Sequence, residues 1–541
     1  MECTPRGAPL ISVGHARTLP GIPHAPEHSS RGLTLMPHQE HAMMQQAPVP
    51  NKEWGERLSE PRIRNEGEGL LMNAPIVIVG AGPAGLTAAY ELVKRDLQPV
   101  ILEKADKVGG LARTEAYKDY RFDMGGHRFF TKVQKVQRLW EEMLGDDFLK
   151  VARLSRIRYD GRFLDYPLNP FNVLSNLGIV ESLLILVSYL DAQLRPHAEE
   201  QTFEQWVSNR MGKRLFKTFF RSYTEKVWGI PCNQIRADWA AQRIRGLSLI
   251  GAVSNALFGT SRAKTLISEF HYPVLGSGMM WQRFGEVVGS HGGEVHLNTK
   301  VIGIRRDGRR IKSILAQRGE KLVEFSGEHF IFSVPLTELI AQLDPPPPAD
   351  VVRAARKLNY RDFVIVGLIV DDADLFRDNW IYVHEREVKV ARIQNFKNWS
   401  AAMVPDTSKT SLGMEYFCNQ GDEIWTMADA DLVDLAVREA VYMGLASRTN
   451  VEDGVVFRQP KAYPVYDSDY RKHLDVIRDF LATLDNLQTV GRNGLHRYNN
   501  LDHSMLTGLL AARNVLGEDH DLWNVNTEPS YYEEVTVGDP M

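Results

Sequence analysis

Short apolar runs separated by a helical pattern begin abruptly near residue 74. Pro75–Val79 and Pro99–Glu103 are almost uninterrupted apolar runs, which is typical of strands buried on both faces of a parallel sheet. Between them, Ala84–Arg95 has the composition of a helix. Together these segments predict a strand–helix–strand unit of about thirty residues.

The stretch from about residue 132 to 268 is predicted to be mainly helical. Helical patterns cover Val133–Leu144, Gly178–Leu194 and Phe203–Phe220. The most apolar part, Leu177–Leu190, contains Glu181 and is shorter than the roughly 20 apolar residues that cross a bilayer. It therefore predicts a buried or interfacial helix, and we expect no transmembrane segment.

After Gly292-Gly293 the pattern changes mainly to strands. Val301–Arg305 and Lys312–Leu315 flank Asp307-Gly308, a turn sequence typical of hairpins. The remaining predicted elements are, in order, three strands, a helix, a strand and a helix: Phe330–Val334, Phe363–Val370, Thr410–Phe417, Asp429–Met443, Gln488–Gly491 and Asp502–Val515.

Residues 1–72 differ from the rest in composition. They are rich in proline and histidine, and Trp54 is their only large aromatic residue. Such a segment buries too little apolar surface to offset its ordering entropy, so we expect a disordered extension. Met72 precedes the first strand, and we hypothesise that the natural start lies there. The first residues also lack the basic patch and apolar run of a secretory signal, so a cytoplasmic location is expected.

Composition narrows the classes of function. The 541 residues are 43% hydrophobic and 24% charged, an ordinary globular mix, and the formal net charge is −4. This near-balance argues against nucleic-acid binding by bulk charge. Three scattered cysteines, Cys3, Cys232 and Cys418, exclude a disulfide framework and a zinc ribbon, so no structural metal is expected.

The strongest motif is a dinucleotide fingerprint in the first strand–helix turn. Gly80, Gly82 and Gly85 follow the G-x-G-x-x-G pattern, with Pro83 and Ala84 between them. The first glycine permits the tight turn, the second lets the backbone approach a pyrophosphate, and the third lets the helix pack close to the strand. Glu103, followed by Lys104, lies 18 positions after Gly85, in place to hold ribose hydroxyls.

The next segment resembles the FAD-binding signature of the amine oxidase superfamily. It reads Gly109-Gly110-Leu111-Ala112-Arg113-Thr114, and the alternative is a glycine-rich surface loop with an exposed arginine. The resemblance implies that Gly110, Leu111, Ala112 and Arg113 lie against the diphosphate and flavin of FAD. Gly125-Gly126-His127 resembles a loop that approaches the flavin ring, which places Gly126 and His127 at the cofactor, and Val301 ends a segment that resembles the adenine-binding strand.

Segments in the middle and at the end resemble UDP-galactopyranose mutases within this superfamily. Tyr223 to Pro231 resembles their substrate-domain motif, which implies substrate contacts for Tyr223 and Trp228. Arg243 and Arg392 match in position the two arginines that bind the substrate diphosphate from opposite walls. Tyr463 and Tyr498 resemble tyrosines that reach the phosphates. The last FAD-binding turn and helix are matched by Gly491, Arg492, Asp502, His503, Ser504 and Met505, with Asp502 expected as the N-cap of the helix.

The resemblance implies a reaction and a fold. The reaction interconverts pyranose and furanose rings of a UDP-sugar through a covalent adduct on N5 of reduced FAD, with Arg243, Arg392 and His127 as the catalytic residues. The reductant, either NADPH or a separate donor, stays open, as does a homo-oligomer. The alternatives are an oxidoreductase of the protoporphyrinogen oxidase, desaturase or amine oxidase type, and a flavin-binding scaffold without turnover.

The expected fold is a Rossmann-type α/β FAD-binding domain, similar to glutathione reductase, with an inserted substrate domain. FAD-binding parts are expected at residues 73–130, 286–345 and 461–541. The substrate domain is expected to be mainly helical over residues 131–285 and a mixed sheet over 346–460.

Overall fold

In the computed structural model, the first apolar run becomes the central strand of a five-stranded parallel sheet. Its neighbours come from four separate parts of the chain, in the order Glu294–His296, Val100–Leu102, Ile76–Val79, His329–Phe332 and Leu487–Thr489. Ile76–Val79 is buried throughout. The expected Rossmann-type sheet, assembled from discontinuous segments, is therefore confirmed.

Helices cover the five-stranded sheet and bury its apolar side chains. Pro83–Val93 packs against Gly278–Ser290 and Leu501–Val515, and their side chains form one apolar cluster with the central strand. Gly508 permits the close packing of two of these helices. A Cβ added to Gly508 would lie 2.1 Å from the carbonyl oxygen of Ala84, so only glycine lets the two helices approach to this distance.

The predicted hairpin is confirmed and lies in a second, four-stranded sheet. Thr299–Asp307 pairs antiparallel with Arg310–Arg318, and Gly308 in the turn has a φ of +56°. The sheet is completed by Lys321–Ser326 and Leu343–Asp344.

A third sheet of seven strands forms a wall of the candidate site. The order is Val451–Pro464, Tyr360–Val370, Thr410–Cys418, Arg392–Asn395, Trp380–Val383, Ser155–Tyr159 and Arg162–Asp165. The last two strands are a hairpin inside the stretch predicted as mainly helical. Its sequence Ser-Arg-Ile-Arg-Tyr alternates polar and apolar residues and is followed by the turn residues Asp160 and Gly161, which both have positive φ. This is a hairpin pattern, but the helical patterns on either side of it led to the prediction of a helical region.

The helix predicted over Phe203–Phe220 is interrupted. Phe203–Met211 ends at Gly212, which has a φ of +80°. A Cβ there would lie 2.8 Å from the backbone nitrogen of Tyr189, so a neighbouring helix occupies the space of a side chain. The chain then continues through a short helix, a π-helical turn and a last helix: Lys213–Leu215, Phe216–Arg221 and Ser222–Trp228.

Other elements complete the architecture. The remaining helices are Gln134–Leu144, Pro170–Leu177, Ile179–Leu194, Leu336–Gln342, Ala349–Ala355, Glu423–Thr426, Asp429–Tyr442, Tyr470–Leu481 and Gly491–Gly494. Short 3₁₀ turns lie at Gly110–Ala112, Gly145–Asp147, Phe396–Asn398, Ala401–Met403 and Leu522–Asn524. Two-stranded sheets pair Thr114–Tyr117 with Tyr120–Asp123, Phe148–Ala152 with Glu269–Pro273, and Lys264–Leu266 with Glu534–Thr536.

The structure describes residues 75–166, 170–239, 264–527 and 534–536, all of which belong to the unit Gly67–Met541. The predictions made for residues 1–72 and for Arg243 lie outside these ranges. The domain boundaries stay a prediction. Of the helices described, none is long and apolar enough to cross a membrane. Cys232 and Cys418 are buried free thiols, as expected.

Candidate functional site

The glycine fingerprint forms a loop in which backbone lies against backbone. Gly80 has a φ of +102°, and its N–H donates to the carbonyl of Leu102 on the neighbouring strand at 2.8 Å. A Cβ on Gly85 would lie 2.0 Å from the oxygen of Gly80. Glycine at both positions therefore allows the tight turn and the close approach of helix to strand.

A second glycine loop meets the first. A Cβ added to Gly110 would lie 3.1 Å from the Cα of Gly82, so the two loops are in contact without side chains between them. The helix that begins at Pro83 has no side-chain cap, because its N-cap is Gly82. Its N-terminal N–H groups and its dipole are therefore available to an anionic group.

Glu103 lies at the end of the second strand and is held by backbone. Its Oε2 accepts a hydrogen bond from the N–H of Ala81 at 2.8 Å, and its Oε1 accepts one from the N–H of Ala105 at 2.9 Å. Each carboxylate oxygen keeps a second lone pair for a further donor such as a ribose hydroxyl.

These loops border a cavity of about 820 Å³, which we call the larger cavity. This volume lies within the range of about 300–1,000 Å³ that is typical of small-molecule sites. Its lining includes most of the residues expected to bind the cofactor: Gly80, Gly82, Pro83, Ala84, Glu103, Lys104, Gly110, Leu111, Ala112, Arg113, His127, Val301, Gly491, Arg492 and Ser504.

Arg113 is engaged with protein groups in this cavity. Its Nε donates to Glu115 at 2.6 Å, and its Nη1 donates to the carbonyl of Gly110 at 3.0 Å and to Gln459 at 2.5 Å. The guanidinium therefore fixes the second glycine loop. Gln459 also lines the cavity and was not expected from the sequence, since it belongs to the unpredicted strand Val451–Pro464.

The last helix enters the site differently from the prediction. It begins at Leu501, its N-cap is Asn500, and Asp502 is its second residue rather than its cap, so the expected N-cap is wrong. Asp502 is buried, and its Oδ2 accepts a hydrogen bond from the hydroxyl of Thr131 at 2.9 Å. Met505 also points into the core, where its sulfur accepts from the indole N–H of Trp140. Neither Asp502, His503 nor Met505 lines the larger cavity.

A smaller cavity of about 200 Å³ adjoins the first. His127, Arg492, Asn500 and Leu501 line both cavities, so they form a shared wall. The other lining residues are Gly125, Gly126, Arg128, Phe130, Ile267, Trp380, Tyr382, Arg392, Tyr463 and Tyr498. Three arginines and no acidic residue are present among these described lining residues. The smaller cavity is therefore suited to an anion.

Arg392 is fixed on the seven-stranded sheet by two buried partners. Its Nε donates to the hydroxyl of Tyr223 at 2.8 Å, and its Nη1 lies 3.3 Å from Glu415. Burial raises the pKa of Glu415 above its ordinary value, although the charge of Arg392 and the N–H of Gly126 act in the opposite direction. Glu415 was not expected from the sequence, but a carboxylate inside the otherwise apolar strand Thr410–Cys418 was the available signal.

Arg492 lies against the two tyrosines expected at the substrate. Its Cζ is 4.8 Å from the ring centre of Tyr498 and 5.2 Å from that of Tyr463, and these two rings stack at 5.4 Å. Burial raises the pKa of Tyr463 to about 12, with the charge of Arg392 acting in the opposite direction. The Tyr463 hydroxyl is thus protonated at neutral pH and can donate a hydrogen bond.

Arg128 is the third arginine in the lining of the smaller cavity and was not expected there from the sequence. Its Cζ lies 5.2 Å from the ring centre of Trp380, and its Nη2 donates to the hydroxyl of Tyr382 at 3.4 Å. No sequence motif pointed to Trp380 or Tyr382, because they lie at the site only through their contacts with the loop that carries Arg128.

Two predicted substrate residues lie behind the cavity wall. Tyr223 supports Arg392 and stacks on the ring of His384 at 4.7 Å. Trp228 packs against Tyr463 and Tyr498, with ring centres 6.3 and 6.1 Å apart. Neither lines the smaller cavity. The structure therefore brings Arg392, Tyr463, Tyr498 and His127 together and gives Tyr223 and Trp228 supporting positions.

His127 lies where the two cavities meet. Burial, together with the charge of Arg492, lowers its pKa to about 3, so the ring is neutral at physiological pH. Its Nδ1 is buried without a hydrogen-bond partner in the described part of the chain. Such an orphaned polar atom between two cavities is available to a bound group. The uncapped helix, the bare glycine loops and this nitrogen together fit a flavin dinucleotide in the larger cavity.

Comparison with known proteins also indicates a family of flavin enzymes. A model of the flavin containing amine oxidoreductase family matches residues 83–516. The chain is 26% identical over 291 residues to the 15-cis-phytoene desaturase of Glycine max, a match that covers 48% of this chain and 47% of that protein. It is 24% identical over 175 residues to a probable UDP-galactopyranose mutase of Klebsiella pneumoniae, covering 31% of this chain and 44% of that protein. The chain thus spans less than half the length of either curated relative.

Solved structures share the fold over most of the chain. The crystal structure of reduced UDP-galactopyranose mutase has a TM-score of 0.73 at 21% identity and covers 85% of this chain and 100% of that one. A putative protoporphyrinogen oxidase from Exiguobacterium sp. 255-15 has a TM-score of 0.64 at 16% identity, with 82% and 99% covered. At these identities the likeness establishes the fold.

Proposed function

Because the chain belongs to the family of flavin containing amine oxidoreductases, we propose that it binds FAD in the larger cavity and acts on a nucleotide sugar in the smaller one. The proposed reaction interconverts the pyranose and furanose rings of a UDP-sugar, with no net oxidation. A reduced flavin, when bound, supplies the electron-rich centre at which the sugar is exchanged against the diphosphate.

One observation carries the proposal: three arginines meet at a small cavity that shares a wall with the cofactor cavity. Arg128, Arg392 and Arg492 line it without an acidic residue among the described lining. A diphosphate leaving group carries the negative charge that such a cluster binds best, since guanidinium groups pair with phosphate oxygens through parallel hydrogen bonds. The volume of about 200 Å³ suits the charged part of such a substrate rather than the whole nucleotide sugar.

The protein groups have distinct tasks in this reaction. Arg392 is held in the cavity wall by Tyr223, Glu415 and Tyr463, so its guanidinium is oriented before substrate binds. The hydroxyl of Tyr463 adds a neutral donor, which stabilises the departing diphosphate without further charge. The neutral ring of His127 lines both cavities and would serve a bound flavin as a hydrogen-bonding group and not as a proton reservoir, because its pKa lies far below physiological pH.

Two similar proteins support this choice. The structural neighbour with a TM-score of 0.73 is described as a reduced UDP-galactopyranose mutase, and a curated relative as a probable enzyme of that kind. Arg243, the expected second diphosphate ligand, lies outside the described residues, and its role stays part of the proposal.

An oxidoreductase acting on an apolar substrate is the second candidate. The relatives include desaturases, and Phe130, Ile267 and Trp380 form an apolar portion of the smaller cavity. However, an apolar substrate packed against Arg128, Arg392 and Arg492 would remove water from their charges without offering them an anionic group, which is costly in a buried site. The anionic substrate is therefore favoured.

The deciding experiment incubates the purified holoenzyme with UDP-galactopyranose or UDP-galactofuranose, with and without dithionite. We expect the ring isomer to form only with reduced flavin, and the flavin to stay reduced after many turnovers. Arg392→Ala and Arg243→Ala should abolish conversion, whereas Arg156→Ala, on the same sheet but away from both cavities, should not. No conversion, together with no effect of UDP on the flavin spectrum, would rule out this substrate. Oxygen-dependent oxidation of amines, porphyrinogens or polyenes would then support the second candidate.

A further inference from the structure

The helix Ile179–Leu194 turns its apolar side outward. Eight of its large apolar side chains are between 41% and 82% exposed, and only Ile185 and Tyr189 are buried. Val180, Leu183, Val187, Leu190 and Leu194 follow the three- and four-residue spacing of a single helix face. The helix has 16 residues, so this apolar stripe is roughly 24 Å long at about 1.5 Å per residue.

The side of the same helix that faces the protein is mixed, with polar side chains beside the buried Ile185 and Tyr189. Glu181 forms a two-point ion pair with Arg214 at 2.7 and 2.5 Å. The hydroxyl of Ser188 accepts a hydrogen bond from the N–H of Arg214, and the side chain of Gln193 donates to the carbonyl of Asn209. A helix on the surface of a globular protein normally has the opposite orientation. The contacts of Glu181 and Ser188 with Arg214 hold the helix in place, so the apolar stripe stays exposed on the surface.

Cations lie beside the apolar stripe. Lys213, Arg214, Lys217 and Arg221 are all exposed on the segment that packs next to the helix. They lie in the short helix Lys213–Leu215 and the π-helical turn Phe216–Arg221 that follows it. Arg214 is paired with Glu181, and Arg221 with Glu225, so these two arginines add no net charge and the positive charge beside the stripe rests on Lys213 and Lys217.

We propose that this face, defined as the apolar stripe of Ile179–Leu194 with the adjacent cations, docks on the surface of an anionic lipid bilayer. An amphipathic helix with an apolar face and flanking lysines and arginines lies in the plane of a membrane interface and gains from both burial and attraction to anionic headgroups. The helix lies on the bilayer and does not cross it.

A second copy of the chain suits this face less well. In a symmetric dimer the same patch is used by both subunits, so Lys213 and Lys217 would meet only the charges of this face itself, in which Glu181 is already paired. An anionic bilayer instead complements both the stripe and the cations. The inference does not depend on the proposed function, because none of these residues lines either cavity.

The test is co-sedimentation of the full-length holoenzyme with vesicles. Phosphatidylcholine vesicles and vesicles with a third of phosphatidylserine are compared at low and high salt. We expect binding to the anionic vesicles that weakens with salt. Leu183→Glu/Val187→Glu should lower the partition coefficient about tenfold or more. Lys213→Ser and Lys217→Ser should each lower it about fivefold on anionic vesicles only.

Controls separate docking from misfolding and from self-association. Leu322→Glu changes a side chain that is 62% exposed, like Val187, but on a strand of the four-stranded sheet, and should bind vesicles like the wild type. All variants should keep the flavin content and melting temperature of the wild type. Wild-type protein that does not bind vesicles, or a Leu183→Glu/Val187→Glu variant that still binds them, would overturn the proposal. A dimer in sedimentation equilibrium that this variant dissociates, without vesicle binding, would assign the face to a second copy instead.

Discussion

Replacing Arg392 by lysine tests the proposed diphosphate site most directly. The arginine uses Nε for Tyr223 and Nη1 for Glu415, while its planar group also faces the smaller cavity. A lysine keeps the positive charge but has a single nitrogen. It cannot contact the tyrosine, the carboxylate and a phosphate in the same geometry, so the substitution removes orientation rather than charge.

The expected loss follows from the contacts. Hydrogen bonds to charged groups contribute about 1.5–3 kcal/mol each in buried sites. If Arg392→Lys loses one such contact to a phosphate, the affinity for UDP falls roughly 10- to 100-fold, since about 1.4 kcal/mol is a factor of ten. The flavin content should stay at the wild-type level, because Arg392 does not line the larger cavity.

Titration of the oxidised holoenzyme with UDP, followed by flavin absorbance, measures this affinity without requiring turnover. Arg156→Lys is the matched control, because Arg156 also forms a two-point pair, with Asp378 at 2.8 and 2.5 Å, but lines neither cavity. Its affinity for UDP should match that of the wild type. If Arg392→Lys binds UDP within twofold of the wild type and carries a full complement of flavin, the assignment of Arg392 to the diphosphate is refuted.

Three further predictions concern the loop, the cofactor and pH. Gly126→Ala would place a Cβ 1.6 Å from Cζ3 of Trp380 and should lower the free energy of unfolding by about 1–3 kcal/mol. Thermal denaturation should show that the double variant Gly126→Ala/Trp380→Leu recovers part of this loss. Glu103→Gln should weaken FAD binding about tenfold, as measured by flavin release on dilution, while an unchanged affinity would argue against a ribose contact. Burial lowers the pKa of His384 to about 3, below its ordinary 6.5, so the folded state favours the neutral ring. The contribution of His384 to the free energy of unfolding is therefore full above pH 6.5 and falls by about 1.4 kcal/mol per pH unit as the pH drops from there towards 3. Urea unfolding at a series of pH values should show a weaker dependence of this free energy on pH for His384→Phe, which keeps the stacking on Tyr223.

Local sequence patterns were sufficient to predict the first glycine loop, the hairpin and the parallel sheet. The fingerprint Gly80–Gly85, the acid Glu103 and the hairpin at Gly308 depend on interactions within about thirty residues, where spacing and turn chemistry decide the outcome. The parallel sheet agrees with these patterns, because short apolar runs that alternate with helices are typical of strands covered on both faces.

Other features of the fold conflicted with their local pattern. The helix ends at Gly212 where the backbone of Tyr189 occupies the space beside it. The sequence of the predicted helix contains no sign that Tyr189 would lie there. The role of Asp502 depends on the hydroxyl of Thr131, which lies 371 residues earlier in the chain. The helix Ile179–Leu194 could be predicted, but not which of its faces turns outward.

The smaller cavity was decided by tertiary structure alone. Arg128 comes from a loop beside the glycine pair, Arg392 from the seven-stranded sheet, and Arg492 from the turn before the last helix. Resemblance to a family singled out Arg392, but not its support by Glu415 or the part played by Arg128. Charges this far apart in sequence carry no spacing from which their meeting can be inferred. They converge because the sheets and their loops pack around one cleft, and only the completed fold holds these three like charges together against their mutual repulsion.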